Sequence, residues 1–577
     1  MEPPRIVDRN GQPAIGDDGL PIPGTQSLWS EQPDADLLAG GAAAQLPEAR
    51  QVYSDVASTR ITDPANRLEP GAGRFGRALL GLGPLDPESP DEVLEGFLAL
   101  RELADPGLSA AAIAEYPADG LRVAYAASHD GLLHAFDADS GVELWAWIPE
   151  DLLSRLPLLV RDDPTTARSH GIDGPLVLHR HDPNGDGVIE AAAGEHLWLV
   201  FGLGRGGGRY HALDVSKPRD PRLLWTFHLP EAQTLALAEP VVARLAIAES
   251  GQEAGDWVVV LAGGYDREFD APDAGGPGAG GTLHAIDATT GRLLWSTGRE
   301  QGDLRIEGLA SIAAAPRLLD LDGDRAVDRA YLVDVAGDLW RIDFESGRAA
   351  RVLASATRLA RLGGAGRRFH YTPDASIVRR GTRTALAVAL GSGSSMRPRG
   401  RSADERLFLI YDGIHDAPAR DLDSAQLFDA TGPHAGMPPD APGFFLRLAG
   451  HGPGEKLAGP TSTFDHVLRF QTYQPLPIDA EAPCGPPRSI ARSYAIDIRT
   501  AAPPAAAHDS EEDEPEEIPA SGLPPALRFG FPGRWDEACA GCRPRPFGIL
   551  GGETFDTGYA GDPVRTSWRK LTPPDLR

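Results

Sequence analysis

The densest chemistry in this 577-residue chain is the stretch Asp320-Leu321-Asp322-Gly323-Asp324-Arg325-Ala326-Val327-Asp328. Carboxylates stand at positions 1, 3, 5 and 9 of a short loop. A hard cation such as Ca²⁺ takes roughly six to eight oxygen ligands at about 2.3–2.6 Å. A tight loop delivers alternate side chains to one point, and the backbone carbonyl of Ala326 at position 7 adds another oxygen. Without a cation, four like charges would crowd one another at substantial cost. Asp320, Asp322, Asp324, Ala326 and Asp328 are therefore the expected calcium ligands. Mg²⁺ fits less well, because it retains its waters and takes few protein ligands.

A second stretch has the same form: Asp182-Pro183-Asn184-Gly185-Asp186-Gly187-Val188-Ile189-Glu190. Asp182, Asn184 and Asp186 occupy positions 1, 3 and 5, Val188 supplies the backbone at position 7, and Glu190 stands at position 9. Gly187 sits at the sharp turn of an EF-hand-like loop. The full motif wants Glu where Ala193 stands, with Glu195 near enough to substitute. This is a second candidate calcium site, weighed against an acidic surface turn.

The elements around these loops are strands. Residues 331–343 read as strand, turn, strand, which is not the two-helix context of an EF-hand. The pattern in Gly131-Leu132-Leu133-His134-Ala135-Phe136-Asp137 through Gly141 and Trp145 recurs in residues 281–295, with His284, Asp287, Gly291 and Trp295. It returns at 209–214 with His211, Asp214 and a later Trp225, and at 337–347 with Asp343 and Gly347. Looser echoes lie at 407–412 and 493–497. The aligned Asp137, Asp214, Asp287 and Asp343 are 77, 73 and 56 residues apart. Such spacing is longer than a bare four-stranded blade and requires insertions. Six recurrences of strand and turn, with no amphipathic helices between the apolar runs 122–127, 196–201, 257–262 and 384–390, exclude a parallel α/β sheet. They predict an all-β fold, an irregular β-propeller of six or seven blades with long insertions.

The expected organisation is an irregular segment over 1–45, then the repeat region over 46–577. The latter carries a helix near 90–103, a flexible Gly/Pro-rich insertion near 268–281 and a disordered acidic loop near 502–520. Gly202-Leu203-Gly204-Arg205-Gly206-Gly207-Gly208 superficially resembles a phosphate loop, but no helix follows it, and a tight turn is the expected reading. His134, His211 and His284 share one register, which marks structural positions rather than a converging triad. The serines of 391–395 form no nucleophile elbow, so no catalytic set is expected.

A net charge of −28 disfavours nucleic acid as a partner. Three cysteines, Cys484, Cys539 and Cys542, are too few for a disulfide scaffold or a four-cysteine zinc site. Cys539 and Cys542 are expected as a small disulfide or as free thiols. No apolar run reaches the length of a membrane span. The first residues lack the basic and apolar regions of a secretion signal, which taken alone predicts a cytoplasmic protein.

Four segments, in this order, carry a resemblance: 126–136, 143–149, 200–208 and 320–324. With them, residues 120–350 resemble the C-terminal β-propeller of the PilY family of type IV pilus biogenesis factors and tip adhesins. Looser similarity extends over roughly residues 50 to 575. The resemblance implies a non-enzymatic, calcium-modulated protein outside the cell, at the pilus tip or outer membrane. Such a protein would contact minor pilins and support pilus assembly, twitching motility and attachment to host or abiotic surfaces. It also implies the same calcium ligands in 320–328, whereas 182–190 is not part of the family pattern. The adhesive von Willebrand factor A-type region usual in the family is not evident here. Two other readings stand beside it. The Ala-x-Asp-x-x-x-Gly-x-x-x-Trp pattern at 135–145 and 285–295 resembles PQQ-dependent quinoprotein dehydrogenases, although the Trp is more simply a packing residue between blades. A generic propeller scaffold would need neither calcium nor pilins.

Overall fold

The computed structural model describes residues 8–14, 22–26, 28–30, 41–100, 109–161, 170–231, 233–248, 256–271, 273–364, 366–414, 421–432, 436–477, 489–504, 516–518, 524, 528–530, 547–550 and 553–556. Side chains of a strand alternate between its two faces, and here both faces find a core. In the strand His196–Gly202, Leu197, Leu199 and Phe201 pack with Trp147 and Val123 of the preceding sheet. Trp198 and Val200 pack with Val259 and Leu261 of the following one. Those two residues belong to Asp256–Ala262, whose Val258 and Val260 turn the other way, toward Leu332 and Ile342. Burial on both faces is why these strands read as continuous apolar runs instead of alternating with polar residues.

Among the described residues, six sheets built on four antiparallel strands follow one another along the chain. The first comprises Ala112–Tyr116, Leu121–Ala127, Leu133–Asp137 and Glu143–Trp147. The second comprises Leu176–His181, His196–Gly202, Arg209–Asp214 and Arg222–His228. The third comprises Val241–Leu245, Asp256–Ala262, Leu283–Asp287 and Leu293–Gly298. The fourth runs from Arg317–Leu319 to Ala354–Arg361, the fifth from Asp374–Arg380 to Gly443–Arg447, and the sixth from Lys456–Leu457 to Glu516–Ile518. Two-residue strands add in parallel to four of them, as Val52–Tyr53 does beside Ala146 and Trp147. A three-stranded sheet, Arg528–Gly530, Phe547–Leu550 and Glu553–Asp556, comes last. Apolar clusters join each of the first five sheets to the next.

The repeated sequence pattern has one structural meaning. A β-bulge follows Ala135, Ala212 and Ala285, just before the recurring aspartate. Asp137 accepts the N–H groups of Asp139 and Ser140, and Asp287 those of Thr289 and Thr290, closing the turn. Trp145 Nε1 donates to the carbonyl of Pro218 and Trp225 Nε1 to that of Ala288, both at 2.8 Å. Trp29 Nε1 likewise reaches Ala138 O at 2.9 Å. Each indole thus staples one segment to the turn of the next sheet. Gly291 is required there twice over: its φ is +70°, and a Cβ would come within 2.7 Å of Trp225.

The helix spans Pro90–Ala99, shorter than the expected 90–103, with residues 101–108 outside the described set. Ser89 and Glu92 form a reciprocal capping box, and Pro90 opens the first turn. The insertion 268–281 is held to the body by buried Phe269, by Asp266 accepting from Ala279 N, and by Arg368 donating to the carbonyls of Ala271 and Ala274. Most of the acidic loop 502–520, and Cys484, Cys539 and Cys542, lie outside the described residues.

Candidate metal centre

Residues 320–328 form the turn between Arg317–Leu319 and Arg329–Val333, the first two strands of the fourth sheet, where Leu319 pairs with Arg329. The loop winds around its own carboxylates. Asp320 accepts from Gly323 N at 2.6 Å and Arg325 N at 2.9 Å. Asp322 accepts from Asp324 N at 3.1 Å, and Asp324 from Ala326 N at 2.7 Å. Asp328 reaches back to Leu321 N at 2.6 Å and Asp322 N at 3.2 Å. Buried Ala326 and Val327 anchor the loop, and Val327 N donates to Arg244 O of the third sheet at 3.0 Å.

One carboxylate oxygen from each of Asp320, Asp322 and Asp328 lies within 4.8 Å of the others. Asp324 stands outside that trio. Burial raises the Asp328 pKa, and the neighbouring charges of Asp322 and Asp324 add to the rise, against the lowering effect of the Leu321 and Asp322 N–H groups. A carboxylate keeps acceptor sites beyond one hydrogen bond. An all-oxygen, multiply anionic set of this kind suits a hard cation of calcium type, so Asp320, Asp322 and Asp328 fit the ion.

The second acidic stretch occupies the equivalent turn of the second sheet, between Leu176–His181 and His196–Gly202. Its hydrogen bonds repeat those of the first loop: Asp182 accepts from Gly185 and Gly187, Asn184 from Asp186, and Asp186 from Val188. The positive φ values also correspond, +70° and +79° at Gly185 and Gly187 against +83° and +77° at Gly323 and Arg325. The acids converge less here. Glu195 accepts from Glu190 N at 2.8 Å, and no three acids of this loop come together as the first loop's do. Arg180 stands 3.9 Å from Asp182 and opposes a second cation.

The recurrent histidines do not converge. His134 bonds Ser128 and Glu143, His211 bonds Thr226, and His284 bonds Thr282, each within its own sheet region. The Gly-rich segment is a close-packed turn: a Cβ on Gly206 would come 1.8 Å from Gly171 O. Beside it, the structure assembles a group that the spacing of residues did not reveal, His129, His170 and Asp173.

The fold and site define a class: a mostly β protein of successive antiparallel sheets, with a converging acidic loop in a hairpin turn. The chain belongs to the family described as the PilY1 beta-propeller domain, whose model matches residues 96–425. It is 31% identical over 225 residues to the type IV pilus biogenesis factor PilY1 of Pseudomonas aeruginosa strain UCBPP-PA14, covering 38% of this chain and 17% of that protein. To the PilY1 of strain PAO1 it is 30% identical over 320 residues, covering 51% and 24%. A Xylella fastidiosa PilY1 homolog is 27% identical over 236 residues, covering 41% and 17%. The crystal structure of the Pseudomonas aeruginosa PilY1 C-terminal domain superposes with a TM-score of 0.52 at 21% identity, covering 76% of this chain and 92% of that one. The chain therefore spans less than a quarter of the length of the Pseudomonas relatives.

Proposed function

We propose that this chain is a non-enzymatic, calcium-binding part of a type IV pilus biogenesis factor, acting outside the cell and contacting minor pilins at the pilus tip. The convergence of Asp320, Asp322 and Asp328 in a domain of this family carries the reading. The six sheets, each sharing a core with the next, are read as propeller blades, with the three-stranded sheet as a seventh. Residues 46–577 then form the propeller region and 1–45 an irregular leading segment. The primary calcium site is Asp320, Asp322, Asp324, the Ala326 carbonyl and Asp328. Asp182, Asn184, Asp186, the Val188 carbonyl and Glu190 form a weaker second one.

Linkage supplies the mechanism. An ion that binds only the folded loop stabilises it by about 2.7 kcal/mol at a hundred times its Kd. The loop joins two strands of the fourth sheet and hydrogen-bonds the third through Val327 and Arg244. Calcium at this point stiffens the seam between two sheets, and a partner resting on that seam senses the ion. The test is co-precipitation of the same organism's minor pilins with the purified chain, in calcium and in chelator. Calcium-dependent capture that is lost in Asp320→Ala supports the reading. Equal capture in calcium and chelator, or none at all, overturns it.

A further inference from the structure

Three turns meet beside the first two sheets. The turn after Leu121–Ala127 carries His129, the segment entering the second sheet carries His170 and Asp173, and the Gly-rich turn after His196–Gly202 carries Arg205. Glycines make the approach possible: a Cβ on Gly171 would lie 2.2 Å from Gly131 N, and one on Gly204 would lie 2.7 Å from Gly174 N. One ligand atom from each of His129, His170 and Asp173 falls within 4.8 Å of the other two. His129 Nε2 is 2.9 Å from Asp173 Oδ1, and the two imidazoles meet edge to face at 5.1 Å. The His129 side chain is 6% exposed and that of Asp173 fully buried, yet His129 Nδ1 has no hydrogen-bond partner.

We propose that His129, His170 and Asp173 form a transition-metal site for a divalent ion of the zinc class, separate from the acidic loops. Two imidazole nitrogens and one carboxylate suit zinc, copper or iron and not calcium. Three protein ligands leave one position of a tetrahedral ion for water or a partner's side chain. Arg205 holds both oxygens of Asp173, with Nη2 at 2.9 Å from Oδ1 and 3.5 Å from His129 Nε2; it orients the carboxylate as metal ligands are commonly supported, and its Nη2 must draw back from His129 when the ion enters. A carboxylate has about four acceptor sites and can serve the guanidinium and an ion together. On loading, the His129 proton that faces Asp173 moves to Nδ1, so that Nε2 presents its lone pair to the ion. The ion would tie the turn of the first sheet to the entry of the second. The competing arrangement is a metal-free Arg–Asp–His knot with the same tying role.

The test uses the full chain in a background with Cys484, Cys539 and Cys542 changed to serine, which removes thiol ligands. Zn²⁺ is titrated against a chromophoric chelator, and Co²⁺ is followed by its visible absorption. The expected result is saturable Zn²⁺ binding that weakens by about tenfold or more in both His129→Gln and His170→Gln, with Asp328→Ala unchanged. Half-buried His170 makes His170→Gln the decisive variant where His129→Gln perturbs folding, and thermal melting verifies its fold. Unchanged Zn²⁺ affinity in a folded His170→Gln chain, or no Zn²⁺ binding in the parent, overturns the proposal and leaves the Arg–Asp–His knot.

Discussion

Asp328 reaches back across its loop to accept the N–H of Leu321 at 2.6 Å, so the ninth residue latches the second. The same side chain is a member of the carboxylate trio and carries a raised pKa, through burial and then the charges beside it. Latch and ligand can be separated. Asp328→Asn keeps an acceptor for Leu321 while removing one charge. The calcium-free variant should melt at or above the parent, while calcium affinity falls by about tenfold, or about 1.4 kcal/mol. Differential scanning calorimetry in chelator and in calcium checks both halves. A variant that loses calcium-free stability and keeps its affinity would show that the latch alone matters.

Arg325 holds φ +77°, a region that costs a side-chain-bearing residue about 1–2 kcal/mol. Gly187 occupies the matching position of the other loop at +79°. Arg325→Gly should therefore stabilise the chain by up to about 1 kcal/mol after the added freedom of the unfolded state is counted. The urea midpoint in chelator measures it; a lower midpoint means that the Arg325 side chain makes a compensating contribution.

Trp225 staples the second sheet to the Ala288 carbonyl of the third. Trp225→Phe keeps most of the apolar surface and loses the hydrogen bond, a cost of about 1 kcal/mol. Trp225→Ala should cost about 3–5 kcal/mol. Thermal melts of the two variants should rank in that order, and equal melting of Phe and Trp would show the bond to be dispensable.

Burial lowers five histidines: His179, His196 and His284 to about 4, and His211 and His370 to about 3. An unfolded histidine titrates near about 6.5. Between those values the unfolded chain binds more protons, so this stability is complete above about pH 6.5 and is lost as pH falls toward 4 and then 3. Asp55 and Asp334, pushed up to about 6 chiefly by burial, and Asp328, Asp374 and Glu405, raised also by burial, act in the opposite sense, but the displacements of the histidines, down to about 4 and about 3, are larger than those of Asp55 and Asp334. Melting temperature should fall from pH 7 to pH 4.5, and His211→Gln should flatten the slope. A flat profile in the parent would contradict this.

The repeats were legible because Asp137 and Trp145, or Asp287 and Trp295, sit within one hairpin, where local turn chemistry writes itself into short spacing. The calcium loop was legible for the same reason: its ligands are consecutive and its turn is self-contained. Spacing does not specify side-chain rotation: the carboxylates of Asp320, Asp322 and Asp328 converge, while that of Asp324 accepts from Ala326 N and stands outside the trio. His129, Asp173 and Arg205 lie 44 and 32 residues apart on three turns, so only the packing of Gly131, Gly171 and Gly206 unites them. The parallel pairing of Val52–Tyr53 with Ala146 and Trp147 was hidden too, because a two-residue strand has no periodicity to read.

Calcium binding is expected first at the hairpin turn of the fourth sheet. Calorimetric titration of Ca²⁺ into the purified full chain, beside Asp320→Ala and Asp182→Ala, tests it most directly. A tighter binding class is expected that disappears in Asp320→Ala and survives in Asp182→Ala. Identical isotherms for the parent and Asp320→Ala would contradict it.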